Sequence, residues 1–97
     1  MKFAWHPAKA ESNFSKHGVS FDEASTVFED LMQMHHSDDI HSIGEQRYTC
    51  LGMSDQSRLL LVVYTEQMEN LIRIISAREA TRREANDYES QRDFTGR

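Results

Sequence analysis

The 97 residues include 11 lysines and arginines against 16 aspartates and glutamates, a formal net charge of −5. That balance excludes an all-over basic coat for nucleic acid but leaves room for a small basic site, because binding follows where charge sits. With 38% apolar and 28% charged residues the composition is that of a folded protein rather than a disordered one, and the length suits a single domain over residues 1–97.

Cys50 is the only cysteine, which rules out an intramolecular disulfide and a thiolate zinc site. Its neighbours Thr49 and Leu51 point to a structural thiol on a strand. No apolar run approaches the roughly 20 residues of a membrane span, and the N-terminus lacks a signal-peptide core. The expected location is therefore the cytoplasm, with no membrane contact.

Lys2 to Trp5 reads as a short strand with Phe3 and Trp5 on one face. Pro7 suits the first turn of a helix running through Ala8, Ala10 and Phe14, with Gly18 as its stop and Lys16 and His17 in its last turn. Ser20 and Glu23 have capping-box spacing and open a second helix from Phe21 to about Asp30, with Ala24, Val27 and Phe28 as its buried stripe. A strand is expected over Leu31 to His36, followed by a polar loop from Ser37 to Gly44. Arg47 to Ser54 alternates as a strand, with Tyr48 and Cys50 opposite Arg47, Thr49 and Leu51.

Leu59 to Thr65 is almost continuously apolar and belongs in the middle of a sheet. After a turn around Gln67 to Asn70, Leu71 to Arg78 forms a strand that feeds a helix from about Glu79 to Tyr88. The polar tail from about residue 92 is expected to fray. The fold class is α+β: two N-terminal helices, an antiparallel sheet of about four strands and a C-terminal helix. Trp5, Phe14, Phe21 and Phe28 are expected in the core. Tyr64 and Tyr88 are expected to pack or meet a partner rather than stack on a base.

Arg73, Arg78, Arg82 and Arg83 crowd the junction of the last strand and helix, an unusual density on an acidic chain. Guanidinium groups stay charged and offer forked donors suited to phosphate. Lys16-His17-Gly18-Val19-Ser20-Phe21-Asp22-Glu23-Ala24 resembles a KHGVSFEEA segment of the BrnT-type toxins of bacterial type II toxin–antitoxin systems. Asp39-Ile40-His41 with Gly44-Glu45-Gln46-Arg47 is similar to the D-x-H…GE-x-R stretch of that family. Leu61 to Glu66 and Arg73 to Arg78 look like its VVYTE and RIISAR segments. The ordered set covers roughly Phe3 to Tyr88. Departures fall at His6, where aspartate is common, at Leu31, where proline is frequent, and at Gln67 and Met68, where Arg-Gly is often found.

The resemblance implies a RelE-like fold, RNA cleavage that inhibits translation, and a cognate antitoxin. That partner would be a ribbon-helix-helix, BrnA-like protein through which alone the complex meets operator DNA. Metal-independent RNA cleavage needs a base for the ribose 2′-hydroxyl, cations for the crowded phosphorane and an acid for the leaving oxygen. His17, Lys16 and Glu45 are the proton-transfer candidates. Arg47, Arg73 and Arg78 are candidate phosphate clamps, and Arg82 and Arg83 extend the basic surface along RNA.

Each has a structural alternative. His17 would bond a free helix carbonyl and Lys16 would be solvated. Glu45 and Arg47 would form a loop ion pair, Arg73 a cross-sheet salt bridge, and Arg78 would pack at the helix start. Arg82 and Arg83 would be a solvated face. The His35 to His41 run offers metal-ligand residue types without a specific spacing, so no metal or other cofactor is expected, and Asp39 and His41 are expected to fix each other. The competing function is a catalytically weak or inactive binding module that acts with its partner in transcriptional autoregulation.

Overall fold

A computed structural model describes residues 1–95, with side chains described through Gln91; Gly96 and Arg97 lie outside the described residues. The chain runs β1 (Lys2–Ala4), α1 (Pro7–His17), α2 (Phe21–Ser25) with a 3-10 turn (Thr26–Glu29), and β2 (Met34–Ser37). A 3-10 turn (Asp39–His41) follows, then β3 (Tyr48–Met53), β4 (Leu59–Met68), β5 (Leu71–Glu79) and α3 (Arg82–Thr95). The α+β class and the three-helix arrangement agree with expectation. The sheet does not.

It has five strands rather than four, in the order β1-β5-β4-β3-β2, and it is mixed rather than antiparallel. β2 to β5 form an antiparallel meander, as turn-separated strands should, but β1 runs parallel to β5 with Phe3 opposite Ile72. Two helices and three strands intervene between these partners, so no short hairpin dictates their relative direction.

Local chemistry moves several boundaries. Ser25 and Thr26 turn their hydroxyls onto the carbonyls of Asp22 and Glu23, at 2.7 and 2.6 Å, and the α-helix tightens there into the 3-10 turn. Asp30 accepts from Met32 N at 2.9 Å, an Asx turn that delays β2 to Met34. Glu79 stays in the strand, and α3 begins three residues later, behind Thr81. The helix also continues to Thr95, past the expected start of a frayed tail. His6, the departure before Pro7, does the aspartate's job: its Nδ1 accepts from Ala8 N at 3.3 Å as the cap of α1.

The core lies between one sheet face and α2 with its 3-10 extension. Val19, Phe21, Ala24, Val27 and Phe28 pack on Leu60, Val62, Tyr64, Ile72, Ile74 and Ala77. Burying each large side chain contributes about 1.5–3 kcal/mol. Phe28 is the pivot, with ring centroids 5.2 Å from both Phe3 and Tyr64. Cys50 is fully buried among these groups, and burial pushes its thiol up to about 12, so it is a structural thiol.

Phe14 breaks the expected core pattern, being 57% exposed, while Asn13 beside it is buried. The reason is the short β1. It ends at Ala4, opposite Arg73, so the later half of β5 has no strand on that side. Asn13 fills the gap. Its amide donates to Ala77 O and accepts from Ala77 N, at 3.0 and 3.1 Å, and donates again to Val19 O at 3.0 Å. α1 therefore meets the sheet edge through an amide instead of an aromatic.

On the other sheet face α3 lies against β3 and buries Tyr88, whose hydroxyl donates to Asp30 Oδ2 at 2.5 Å. Tyr64 donates to His35 Nδ1 at 2.6 Å from within the core. Both tyrosines pack. Among the described residues, no helix is long and apolar enough to cross a membrane.

Candidate active site

Arg73 and Arg78 are five residues apart, and simple alternation would aim them at opposite faces of the sheet. A bulge on β5 prevents this. Ser76 lies opposite Val63 and Ile74 opposite Tyr64, which leaves Ile75 without a partner and resets the alternation. Arg73 then stands opposite Thr65, Ser76 opposite Val63 and Arg78 opposite Leu61. On β3, Thr49 and Leu51 share that face, and Arg47 continues their alternation one residue before the strand. The three clamp candidates thus share the sheet face that lies away from α2.

Arg73 donates from Nη2 to Glu45 Oε2 at 2.5 Å, with both side chains about one-third exposed (32% and 35%). Glu45 therefore pairs with Arg73 rather than with Arg47. The loop carrying Glu45 is braced internally. Ser42 Oγ donates to Asp38 O at 2.6 Å and accepts from Arg47 N at 2.8 Å, Gln46 donates to Asp39 Oδ1 at 3.0 Å, and Gly44 takes a left-handed φ of 83°. His41 pairs with Asp38 at 3.0 Å, so the expected Asp39–His41 contact is replaced by its neighbour.

Arg47 has a different environment. Its Nε is buried with no hydrogen-bond partner, and the side chain forms no ion pair among the described residues. A buried polar N–H without a partner is costly and calls for an acceptor.

Arg78 grips Glu84 through two bonds, at 2.9 and 3.0 Å. Glu84 also accepts from Thr81 N at 2.8 Å, while Thr81 Oγ1 accepts from Glu84 N at 3.2 Å. This is a capping box at Thr81-x-x-Glu84, the same spacing that marks Ser20 and Glu23, and sequence reasoning missed it. The Arg78 guanidinium holds the Glu84 carboxyl below the usual carboxylate range, and the carboxylate raises Arg78 in turn. Arg82 and Arg83 are exposed in the first turn of α3, without ion-pair partners among the described residues.

Lys16 and His17 are exposed in the last turn of α1, where they line a groove with Ile75 and Ser76 of β5. Gly18, at φ 70°, caps the helix by bonding Phe14 O through its own N–H at 2.8 Å. Among the described residues, His17 makes no such side-chain bond. Arg47, Arg73, Arg78 and Glu45 thus gather on one face, Lys16 and His17 border it beside Ser76, and Arg82 and Arg83 stand beyond it on α3.

Arg58 carries the largest ion network and was not singled out from sequence. It donates to both oxygens of the buried Glu23, at 2.5 and 3.0 Å, and also to Glu79 and Gly18 O. Arg58 holds the Glu23 carboxyl below its usual range, assisted by the Ser54 hydroxyl at 2.7 Å. Its role is to tie α2 to the end of β5. His35 is likewise committed, bonded to Tyr64 and to Gln33 Oε1 at 2.6 Å each, with burial lowering its pKa. Among the described residues, no three histidine, cysteine or acidic side chains converge as a metal site.

Residues 5–84 match the family described as "Ribonuclease toxin, BrnT, of type II toxin-antitoxin system". The chain belongs to that family, and membership implies an antitoxin partner. Among solved structures, the chain is similar to the Brucella abortus ribonuclease toxin BrnT, whose crystal structure superposes with a TM-score of 0.66 over 84% of this chain and 99% of the other, at 20% identity. At that identity the likeness establishes a shared fold. A search of curated proteins gave no significant match.

Proposed function

We propose that this protein is an endoribonuclease toxin, RelE-like in its lineage, that cleaves RNA by attack of a ribose 2′-hydroxyl on the neighbouring phosphate without a metal. Arg47, Arg73 and Arg78 take the phosphate, Lys16, His17 and Glu45 move protons, and Arg82 and Arg83 follow the RNA backbone. Cleavage of messenger RNA inhibits translation in the cytoplasm. A ribbon-helix-helix antitoxin neutralises the toxin and carries the pair to operator DNA.

The observation that supports this reading best is Arg47: a guanidinium with a buried, unpartnered Nε on the same face as Arg73 and Arg78. Phosphate oxygens are acceptors of the right charge and geometry for it. The test is cleavage of a labelled RNA by the purified protein, with and without EDTA, beside Arg47→Ala. Cleavage that resists EDTA and disappears in a variant of unchanged melting temperature is the expected result.

One observation favours a second reading. Glu45 and Glu84 already neutralise Arg73 and Arg78, as they would in a catalytically weak binding module that acts through its partner. Intact RNA after incubation with folded wild-type protein would select that alternative.

A further inference from the structure

Lys9, Ser12, Asn13 and Lys16 recur at three- and four-residue spacing and so share one face of α1. That face looks across a groove at Ile75 and Ser76 of β5, with His17 in its wall. The bonds from Asn13 to both backbone groups of Ala77 fix how far the helix stands from the strand, and therefore fix the groove's width. The lining holds two lysines and no carboxylate, although the whole chain carries −5. Neither lysine nor His17 has an ion-pair partner among the described residues. Positive charge is thus left uncompensated here, where it attracts a polyanion.

Ser76 links this groove to the arginine face. It lines the groove, and the bulge at Ile75 sets it opposite Val63, between Arg73 and Arg78 on the same side of the sheet. From Lys9 to Lys16 the helix advances roughly 10 Å, long enough for an extended stretch of polyanion rather than a single ion.

We propose that the α1–β5 groove is a second RNA subsite that binds the phosphodiester backbone beside the cleaved bond, with Lys9 on phosphate oxygens, the Ser76 hydroxyl donating where the strand leaves the arginine face, and Lys16 and His17 kept for the proton transfer already assigned to them. The inference rests on the RNA-cleaving reading of that face. It adds Lys9 and Ser76 to the residues that contact substrate, with Ser12 in the groove wall between Lys9 and Lys16. Lys9 touches no reacting atom, so its contribution is affinity rather than the chemical step.

The experiment is an NMR titration of the whole chain with a 2′-O-methyl oligoribonucleotide, which binds as RNA but lacks the attacking hydroxyl. Amide resonances of Lys9, Ser12, Lys16 and Ser76 should move together with those of Arg47 and Arg73. Lys9→Glu should weaken binding about tenfold and lower the salt dependence of affinity. An acidic residue in the first turn suits the helix dipole, so this variant keeps its fold. Shifts confined to the arginine face, with Lys9→Glu as tight as wild type, would overturn the groove and leave the ribonuclease reading standing. No binding on either face would overturn both. A polyglutamate peptide that moves the groove resonances as strongly as the RNA would overturn it as a nucleic-acid subsite.

Discussion

Arg73 and Arg78 face the same side of the sheet because Ile75, between them, has no partner on β4. Their surroundings differ, however. Arg73 reaches a loop carboxylate, whereas Arg78 holds the carboxylate that caps α3. Arg78→Lys keeps the charge but loses the fork, so it should lower RNA cleavage by about tenfold or more and also reduce the melting temperature by a few degrees. Arg47→Ala should abolish cleavage with no fall in melting temperature, since Arg47 forms no ion pair among the described residues. Parallel cleavage assays and thermal melts of the two variants separate these outcomes.

Asn13→Leu tests the amide at the sheet edge. Leucine has similar bulk but cannot satisfy Ala77 N and O, which Asn13 now bonds from a buried position. The expected loss is about 2–4 kcal/mol, or on the order of 10–20 °C in melting temperature. A variant that melts like wild type would show that water replaces the amide at no cost.

Acid should destabilise the fold in two separate windows. Burial lowers the pKa of His35 in the folded state, so the unfolded chain, titrating near 6.5, takes up the proton first. Stability is therefore complete above about pH 7 and declines as pH falls through the unfolded value near 6.5. His35→Gln should flatten the melting temperature between about pH 7 and 5.

The lower window belongs to Glu23. Arg58 depresses its folded pKa, so its stabilisation is present above the unfolded carboxylate value of about 4.3 and is lost as pH falls toward the folded value. Arg58→Ala should cost about 2–4 kcal/mol at neutral pH, less than a wholly buried pair would, because the Arg58 side chain is 31% exposed. The same variant should lose much of the wild-type decline below about pH 4.5, as measured by denaturant unfolding across pH.

Much of this molecule was legible in its residues, and the illegible parts have definite causes. Ser20 and Glu23, Pro7 and Gly18 declare helix ends through local hydrogen bonds and backbone geometry, and those ends fall where expected. The parallel pairing of β1 was hidden because strand direction is set by a partner nearly 70 residues away. The exposure of Phe14, expected in the core, and the burial of Asn13, which drew no notice, follow from a bare strand edge that a helical stripe does not reveal. The clamp arginines stood out by type and number, but their common face depends on a bulge that periodicity cannot foresee. Arg58 was overlooked because its carboxylate partner, Glu23, looked like an ordinary helix cap.

The place of β5 between β1 and β4 has a temporal consequence. During synthesis the first strand emerges with nothing to pair with, since Leu71, Ile72 and Arg73 are still to be made. The helices must wait as well, because Asn13 binds Ala77 and Phe21 packs against residues of the same late strand. Until β5 is made, β2, β3 and β4 can pair among themselves, but there is no β1–β5 edge, no groove and no arginine face. Long-range closure of this kind is slow compared with hairpin formation. The arginine face therefore comes into being only after every other strand of the sheet has been made, when β5 enters between β1 and β4.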